Sequence, residues 1–503
     1  MRISTQVFFQ RNMNSVMGQQ SSLNQQNMHL SEQKRVLNGS DDPVAIATIQ
    51  RLKQDVSVGE QYLKNADIAE SANALEDTAL SQTTNILQRV REIMVTAGNE
   101  TYDGEGREAM AKELEGLREE LVGVANTKDG NSQYIFAGFQ VDTQPFQSDE
   151  FGDIDYHGDG GGSKFRVGPG VLVQGYDSGA ALFTQIPEGN GTFVSEVNQN
   201  NSGSGVISEG AVIDSKLARD FVDQDYTVTV STVAPGDEPE YSVYGLDDSG
   251  ATGNASVKIA AVDLNNAAIG NVNPAGVYPS VASDVNINFI ESPVSSGVFE
   301  LQINGVSSLP ALYDSTNSST QQITIDGISI DVNGVPDDAD QYKMTKFIEP
   351  TTYQEGQSIE FNGIKTEIKG EVQDLDSFTL RQSGEKDIFT TIQQSIDALR
   401  MPGSDDATSA QRAMVLMVAH QQVDNAMSNV SNIHTSVGGR LNTIDNQREA
   451  TLDFNLTNQK TLSSLEDLDM AAAISEFQMQ MSMLEISQQT FVQMQSLSLF
   501  KLI

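Results

Sequence analysis

The chain has no cysteine and no tryptophan among its 503 residues. Without cysteine it can form no disulfide, no thiolate metal site and no cysteine nucleophile. No apolar run is long enough to span a membrane. The N-terminal stretch MRISTQVFFQRNMNSV also lacks the apolar core and the small-residue cleavage site of a secretory signal. We therefore expect no membrane insertion and, if the protein is exported, a route without a cleaved signal peptide.

Positive charge is also scarce. Lys and Arg total 30 against 69 Asp and Glu, which gives a formal net charge of −39. Such a balance argues against binding to nucleic acid or to an anionic membrane. Residues 1 to 40 are the exception, with four Lys or Arg and one Glu. A chain of this length has room for three or four domains with real cores.

The N-terminal segment carries a seam, meaning a line of residues spaced alternately 3 and 4 apart that can face a partner helix. Every seventh seam position from Gln20 onward is polar, and such residues weaken a coiled coil but fix its register. We expect the other end of the chain to be the partner. The apolar seam residues, which form the predicted assembly interface, are Phe9, Met13, Val16, Leu23, Leu30 and Leu37. The predicted register residues are Gln20, Asn27 and Lys34.

The C-terminal segment 474–503 has only three charged side chains and carries two seams. Two seams indicate two different neighbours, whereas a surface helix needs one apolar stripe. A core helix of an ordinary bundle is the alternative. We expect both terminal segments to be disordered until they dock. The first seam, assigned to the assembly interface, contains Ile474, Phe477, Met481, Leu484 and Phe491. The second contains Met479, Met483, Ile486, Thr490, Met494 and Leu497.

A stop and a restart of helix are predicted after the first segment. Gly39 is expected to end the first helix in the left-handed conformation, and Asp42 and Pro43 have the residue types of an N-cap and a first helical position. We interpret Gly39, Asp42 and Pro43 as a hinge. Further helices are expected at 44–98, 107–126, 385–399, 409–435 and 440–465, with the last two separated by Gly438 and Gly439.

Residues 146–384 are rich in Gly, Asn, Ser and Asp, with short alternating stretches that predict an all-β insertion. The stretch 323–334 aligns without gaps with 359–370, and each copy has the strand-turn-strand pattern of a hairpin. Two related subdomains, about 146–225 plus 349–384 and about 226–348, are one interpretation. Two adjacent hairpins of a single sheet are the other.

Signals for chemistry are weak. The stretch Gly158–Lys164 lacks the order of a phosphate-binding loop and is better explained by a β-turn. Asp337, Asp338 and Asp340 miss the spacing of an EF-hand loop, so a solvated turn is favoured over a Ca²⁺ site. The histidines are scattered. We predict no catalytic residue, no cofactor and no metal.

Two motifs carry a resemblance to the flagellin superfamily. The sequence GSDDPVA at 39–45 resembles that superfamily's junction after the first helix, and VGGRLN at 437–442 resembles the start of its returning helix. Three further stretches are similar to the hook-filament junction type within the superfamily. They are GNSQYIFAGF at 130–139, DSFTL at 376–380 and SLSLF at 496–500. The resemblance covers about 1–185 and 355–503.

The resemblance implies an α+β multidomain fold in which both chain ends form a terminal coiled-coil or helical-bundle rod that carries the inserted all-β region. Three domains are expected. The terminal coiled-coil domain, disordered in the monomer, comprises 1–40 plus 466–503. The rod domain comprises 41–145 plus 385–465, with a β-hairpin near 131–146, and the insertion comprises 146–384.

The resemblance also implies a structural, non-enzymatic axial protein that joins the hook, through the neighbouring hook-associated protein, to the flagellin filament. Its expected partners are a ring of its own copies, that neighbour, flagellin, and a cytoplasmic export chaperone on the C-terminal helix. It implies an extracellular place in the bacterial flagellum, reached through the flagellar type III apparatus. The alternatives are a filament flagellin, or a secreted binding or enzymatic module carried by the β insertion.

Overall fold

The computed structural model describes residues 2–98, 102–149, 152–198, 200–218, 224–232, 237–262, 284–292, 297–303, 312–316, 319–325, 328–403 and 405–500. Helices from both chain ends flank a β-rich region, which confirms the predicted α+β class with an inserted β region. The helices are α1 (Arg2–Glu32), α2 (Pro43–Ala97), α3 (Gly104–Ala125), α4 (Ile388–Arg400), α5 (Asp406–Glu466) and α6 (Met470–Phe500).

The chain divides into two compact units. The first contains residues 1–73, 164–175 and 439–503, and the second contains 74–163 and 176–438. The division falls within α2 and within α5. The predicted three-domain division placed 164–175 in the insertion, whereas these residues belong with the helices of the first unit.

The start of α2 follows the predicted signal. The Asp42 carboxylate accepts hydrogen bonds from the backbone N–H groups of Val44 at 3.1 Å and Ala45 at 2.9 Å. Pro43 occupies the first helical position, where a missing N–H costs nothing. The predicted N-cap is therefore confirmed.

The end of α1 differs from the prediction. The helix ends at Glu32, and Gln33 takes the left-handed conformation with φ of 56°. The Lys34 N–H donates to the His29 carbonyl at 3.1 Å, which is the six-to-one hydrogen bond of a Schellman C-cap. The prediction that Gly39 ends this helix is wrong, because Gln33 makes the turn six residues earlier. Lys34 and Leu37 consequently lie beyond α1.

Helix α5 is continuous through Gly438 and Gly439, so the predicted break there is wrong. Flanking helix formers and the packing of α5 outweigh the roughly 1 kcal/mol that each glycine costs relative to alanine. The predicted break at 401–403 is confirmed, since α4 ends at Arg400 and α5 begins at Asp406. Arg400 joins α4 to α3 by ion pairs with Glu108 at 3.0 Å and Glu115 at 2.6 Å.

Residues 131–145 form turns instead of the predicted hairpin near 131–146, and the first hairpin pairs 146–148 with 154–156. The Asp129 carboxylate accepts from the backbone N–H groups of Asn131 at 2.8 Å and Gln133 at 2.9 Å, which removes these donors from strand pairing. A single bridge joins Lys128 to Tyr134.

The β-rich region begins at Phe146, and its described residues contain strands of two to twelve residues together with a π-helical turn at Ala180–Thr184. The strands up to Ser231 are β1 (Phe146–Ser148), β2 (Ile154–Tyr156), β3 (Lys164–Gly168), β4 (Val171–Gln174), β5 (Ile186–Pro187), β6 (Phe193–Val197), β7 (Val206–Ile207), β8 (Ala211–Val212) and β9 (Gln224–Ser231). The next are β10 (Glu240–Gly250), β11 (Ser256–Val262), β12 (Asp284–Glu291), β13 (Val298–Ile303), β14 (Leu312–Asp314), β15 (Gln321–Ile325) and β16 (Ile328–Asn333). The last are β17 (Gln341–Thr352), β18 (Ser358–Phe361), β19 (Ile364–Lys369), β20 (Ser377–Gln382) and β21 (Glu385–Lys386).

The largest sheet has eight strands in the order β14-β13-β12-β17-β10-β9-β20-β6. The repeated sequences form the hairpins β15–β16 and β18–β19, which lie in two different smaller sheets. The interpretation as adjacent hairpins of one sheet is therefore wrong.

Two separate hydrophobic clusters support these strands, and their border runs through β10. Tyr241 and Val243 belong to the cluster that includes Phe378, whereas Tyr244 and Leu246 belong to the other. The pairing of β10 with β17 shifts register between Val243 and Tyr244, which redirects the following side chains. The border therefore differs from the predicted one near residue 226.

Candidate assembly interface

Two segments far apart in sequence pair where α1 ends and α6 begins. We call residues 33–35 and 465–468 the terminal junction. The Arg35 N–H donates to the Glu466 carbonyl at 2.8 Å, and the Leu468 N–H donates to the Gln33 carbonyl at 3.0 Å. Lys34 and Asp467 form an antiparallel bridge. Backbone hydrogen bonds thus tie the two halves of the chain together beside both terminal helices.

Charge reinforces this pairing. The Glu466 carboxylate, whose side chain is 10% exposed, lies 2.7 Å from Lys34 Nζ and 2.9 Å from Lys53 Nζ. Burial raises the pKa of Glu466, but the hydrogen bonds and charges of the two lysines outweigh burial and hold this pKa below its usual value. The hydrogen bond to Glu466 likewise raises the pKa of Lys34. The Arg35 guanidinium donates to the Leu465 carbonyl at 2.9 Å.

Asp41 closes the loop that follows α1. Its carboxylate accepts from the backbone N–H groups of Leu37 at 3.0 Å and Asn38 at 2.9 Å. The Asn38 N–H, followed by the Leu37 N–H, lowers the pKa of Asp41. His29 Nε2 lies 3.9 Å from the same carboxylate. The predicted hinge residue Gly39 lies within this ordered loop, and its role as a hinge stays a prediction.

Helices α1 and α6 pack against each other in antiparallel directions. The bridge between Lys34 and Asp467 fixes their direction, and Val16 and Phe491 line one cavity of about 150 Å³ farther along the pair. On α6 the buried and half-buried positions are spaced 4 and 3 apart, as in a coiled-coil seam. They are Met470, Ala473, Phe477, Gln480, Leu484, Ser487 and Phe491.

The predicted interface residues divide into two groups. The structure brings Met13, Val16, Leu23, Leu30, Phe477, Leu484 and Phe491 into buried or half-buried positions of these two helices. It leaves Ile474 and Met481 exposed by 44% and 45%, because Ala473 and Gln480 occupy the seam instead. The side chain of Phe9 lies outside the described residues, and Leu37 lies in the loop after α1.

The polar seam positions on α1 are shifted by one residue from the prediction. Gln20 and Asn27 are exposed, whereas their neighbours Gln19 and Gln26 are half-buried. Gln19 lies next to Gln20 and Gln26 lies next to Asn27. Because both residues of each pair are polar, sequence periodicity could not identify which one faces α6. Within the described residues, the buried Oε1 atoms of Gln19 and Gln480 have no hydrogen-bond partner. An unsatisfied buried acceptor costs about 1–3 kcal/mol, so this packing is weaker than an apolar seam would be.

The second predicted seam of α6 is exposed. Met479, Met483 and Ile486 have exposed fractions of 54%, 51% and 60%. Together they form a row that flanks the seam already packed on α1; we call this row the outer α6 face. Methionine adapts to irregular surfaces, which suits an interface that forms after folding. Met494 and Leu497 have side chains outside the described part of the chain.

The strands β3 and β4 were not predicted to contact the helices of the first unit. Asn65 donates to the Arg166 carbonyl at 2.8 Å, and Asn73 donates to the Gln174 carbonyl at 2.9 Å. Val167 and Val173 pack with Ile444 in a small hydrophobic cluster. The polar residues Asn65 and Asn73 on α2 gave no signal that distinguishes them from solvent-facing positions.

No helix among the described residues is long and apolar enough to cross a membrane. The described residues also hold no group of three metal-ligating side chains. Asp340 instead accepts backbone N–H groups, for example that of Thr252 at 2.7 Å, as expected of an aspartate in a turn.

Comparison with known proteins finds similarity in the N-terminal helical part. Residues 3–141 match the family model of the bacterial flagellin N-terminal helical region. Flagellar hook-associated protein 3 of Escherichia coli (strain K12) is 37% identical over 150 residues, which are 30% of this chain and 47% of that protein. The match therefore spans about half the length of that relative.

Solved structures extend the similarity beyond the matched helices. Flagellar hook-associated protein 3 from Legionella pneumophila has a TM-score of 0.60 at 25% identity, over 83% of this chain and 98% of that one. A second structure, described as the flagellar junction protein from the same organism, has a TM-score of 0.57 at 25% identity, over 84% of this chain and 100% of that one. Residues 3–141 are thus similar to the flagellin N-terminal helical region, and in sequence and fold the chain resembles flagellar hook-associated protein 3.

Proposed function

We propose that this chain is a structural, non-enzymatic part of the bacterial flagellum that joins the hook, through the neighbouring hook-associated protein, to the flagellin filament. Its relatives are flagellar hook-associated and junction proteins, which supports a structural role in the flagellum. The outer α6 face carries the proposal. An exposed apolar row beside an already packed seam is expected of a helix that gains a second neighbour on assembly.

The proposed assembly proceeds through both terminal helices. The α1–α6 seam observed in the structure holds α6 on α1, and the outer α6 face contacts the next copy in a ring of subunits. The few charges of α6 fit this arrangement, because both faces become dry only in the assembled state. The polar glutamines of the α1–α6 seam fit terminal helices that are mobile before assembly.

Export completes the proposal. The chain would leave the cell unfolded through the flagellar type III apparatus, with a cytoplasmic chaperone covering the C-terminal helix. The same methionine-rich outer α6 face suits a chaperone, since flexible thioether side chains pack on varied partners. The mature protein would then lie outside the cell.

Deletion of the gene tests the junction role. Electron microscopy should then show bare hooks, while unassembled flagellin accumulates in the medium, because export continues without a platform for the filament. Normal filaments in the deletion strain would overturn the proposal. A filament flagellin, the alternative, predicts instead that filament protein itself disappears from both cells and medium.

Substitutions on the outer α6 face test the mechanism. Changing Met479, Met483 and Ile486 to Gln should leave monomer unfolding unchanged but abolish incorporation of the secreted protein, because it removes only exposed apolar surface. Incorporation is measured per secreted molecule, since the same face is proposed to bind the export chaperone. The matched control changes Gln478, Ser482 and Gln489, three exposed polar residues of the same helix, to Ala. Incorporation of the Gln variant at the level of the control would contradict the proposed interface.

A further inference from the structure

The β-rich region contains two groups of strands with the same order and the same pairing. We define the inner β unit as β7, β9, β10, β18, β19 and β20, and the outer β unit as β11, β12, β13, β15, β16 and β17. In the inner unit β20, β9 and β10 are neighbours in the large sheet, and β18, β19 and β7 are neighbours in a small one. The outer unit repeats this as β17, β12, β13 and as β15, β16, β11.

The agreement extends to individual residue pairs. In the small sheets, Ile368 pairs with Ile207 in the inner unit, and Val332 pairs with Val257 in the outer unit. Ile368 follows Val332 by the same 36 positions that separate the two copies of the sequence repeat. The correspondence therefore includes β7 and β11, which lie outside the repeat that the sequence shows.

The large sheet shows the same relation. Phe378 pairs with Val228 in the inner unit, and Tyr342 pairs with Ile287 in the outer unit. All four side chains are buried. Tyr342 and Phe378 are again 36 positions apart.

A buried aspartate closes a loop in the inner unit. Asp376 is 1% exposed, and its carboxylate accepts from the backbone N–H groups of Ser202 at 2.8 Å, Gly203 at 3.2 Å and Gln373 at 2.8 Å. Its own backbone carbonyl accepts from the Val230 N–H at 2.8 Å. One residue thus fastens three separate segments of the inner unit.

Asp340 makes the same set of bonds in the outer unit. It is 2% exposed and accepts from the backbone N–H groups of Thr252 at 2.7 Å, Gly253 at 3.2 Å and Asp337 at 2.8 Å. Its carbonyl accepts from the Phe289 N–H at 2.9 Å. Burial raises the pKa of this carboxyl, but the Thr252, Asp337 and Gly253 N–H groups outweigh burial and lower it.

Strained backbone positions also correspond. Leu375 and Ala339, which precede the two aspartates, have φ of 69° and 73°. Gly370 and Gly334 have φ of 95° and 98°. A Cβ on either glycine would lie 2.5 Å from a carbonyl oxygen, that of Ser204 or that of Asn254. Such conformations are uncommon for non-glycine residues, so their recurrence at matching positions is specific to a shared architecture.

The order along the chain shows how the copies are arranged. Strands β7, β9 and β10 come first, all six strands of the outer unit follow, and β18, β19 and β20 come last. The outer unit therefore lies between two halves of the inner unit. Each unit has a hydrophobic cluster, with Val332 in the outer one and Val228 and Ile364 in the inner one. The border runs through β10, whose Tyr244 and Leu246 pack in the outer cluster.

We propose that the outer β unit is a second copy of the inner β unit, inserted between β10 and β18, and that it folds on its own core. It is consequently removable without unfolding the inner unit. This inference rests on the described strands and hydrogen bonds and is independent of the proposed flagellar role.

Hydrogen exchange of the full chain with Asp340→Ala and, separately, Asp376→Ala tests independent folding. The charged acceptor is lost in each case, and the buried N–H groups that it served are left unsatisfied. We expect Asp340→Ala to speed exchange of amides in 252–257, 284–303 and 323–344 by at least about tenfold, with little change in 202–207 and 358–382. Asp376→Ala should do the reverse. If either substitution accelerates exchange equally in both units, independent folding is overturned.

An excision variant tests removal. Leu246 of β10 pairs directly with Met344 of β17, so residues 247–343 can be replaced by Asn-Gly, which closes a two-residue hairpin. We expect a soluble chain whose amides in 202–207, 224–243 and 358–382 keep their protection within about threefold. Loss of that protection would show that the inner unit depends on the outer one. A control with the same turn joining Gly245 to Met344 shifts the register by one residue and should lose protection.

Discussion

Lys34 Nζ lies 2.7 Å from the Glu466 carboxylate, although the two residues belong to opposite ends of the chain. Lys53 of α2 approaches the same carboxylate at 2.9 Å. The nearly buried Glu466 carboxylate thus forms ion pairs with two lysines from the N-terminal half, Lys34 and Lys53, next to the backbone hydrogen bonds of the terminal junction. Because the lysine side chains are 42% and 49% exposed, solvent weakens each pair.

Glu466→Gln should loosen the terminal junction. The substitution keeps the size of the side chain but removes the charge that attracts both lysines, so we expect a loss of about 1 kcal/mol in unfolding free energy. Thermal unfolding measures the loss of stability, and hydrogen exchange of amides 33–37 and 465–470 measures the loosening of the junction. Glu449→Gln, at an exposed position of the same helix, is the matched control and should change neither. Equal effects of the two variants would count against a role for the Glu466 charge.

The terminal junction should weaken in acid. The folded pKa of Glu466 is lowered from 4.5 and that of Asp41 from 3.8. Each carboxylate therefore contributes stability that is present above its unfolded pKa and is lost as pH falls through its folded pKa. Lys34, whose pKa is raised from 10.5, contributes below that value and loses its contribution as pH rises through the folded pKa. Junction amides should be best protected between about pH 5 and 10.

Hydrogen exchange at a series of pH values, corrected for intrinsic rates, measures this dependence. In the Glu466→Gln variant the loss of protection between about pH 5 and 3 should be smaller than in the parent chain. An unchanged acid profile would place the pH dependence elsewhere.

Gly438→Ala should stabilise α5. In the described structure, no heavy atom lies within 4 Å of the position that a Cβ would take there, apart from the nearby backbone of the same helix. An alanine in a helix interior is worth about 0.5–1 kcal/mol more than a glycine. The denaturant midpoint of the second unit reports the gain. Gly59→Ala is a contrasting variant, because its Cβ would lie 2.2 Å from Asn455 Oδ1, and it should destabilise the first unit.

Leu484→Ser should separate α6 from α1. Leu484 is 8% exposed and lies on the seam that faces α1. Removing most of this buried side chain should cost about 2–4 kcal/mol, which exceeds the cost of changing the exposed Met481 to Ser. Hydrogen exchange of 473–491 measures the effect directly. Within the proposed function, both variants are still secreted, but only Leu484→Ser loses the α1–α6 pairing in the monomer.

Local signals predicted the fold where one short stretch decides the structure. Asp42 and Pro43 determine the start of α2 through their own side chains, so residue type alone was sufficient. The helix break predicted from Gly438 was wrong, because packing along the whole length of α5 stabilises the helix and outweighs one unfavourable residue.

Contacts between distant segments could not be predicted in the same way. Lys53 and Glu466 are 413 residues apart, and each is an ordinary charged residue of a helical segment. The spacing of the seam residues was predicted from the sequence. Because polar residues are adjacent at 19–20 and at 26–27, the sequence did not determine which of the two faces α6. The repeat revealed two hairpins, whereas the matching of β7 with β11 could not be detected, because β7 has only two residues and the two strands differ in sequence.

The terminal junction can form only late in the synthesis and folding of the chain. Arg35 and Leu465 are separated by 430 positions, so a chain that emerges N-terminus first exposes Arg35 long before its acceptor exists. Closing a loop of that length costs more entropy than any local turn, and non-local contacts of this kind form late in folding. The junction therefore forms only when nearly the whole polypeptide is present. A truncated chain lacking 465–468 cannot form it.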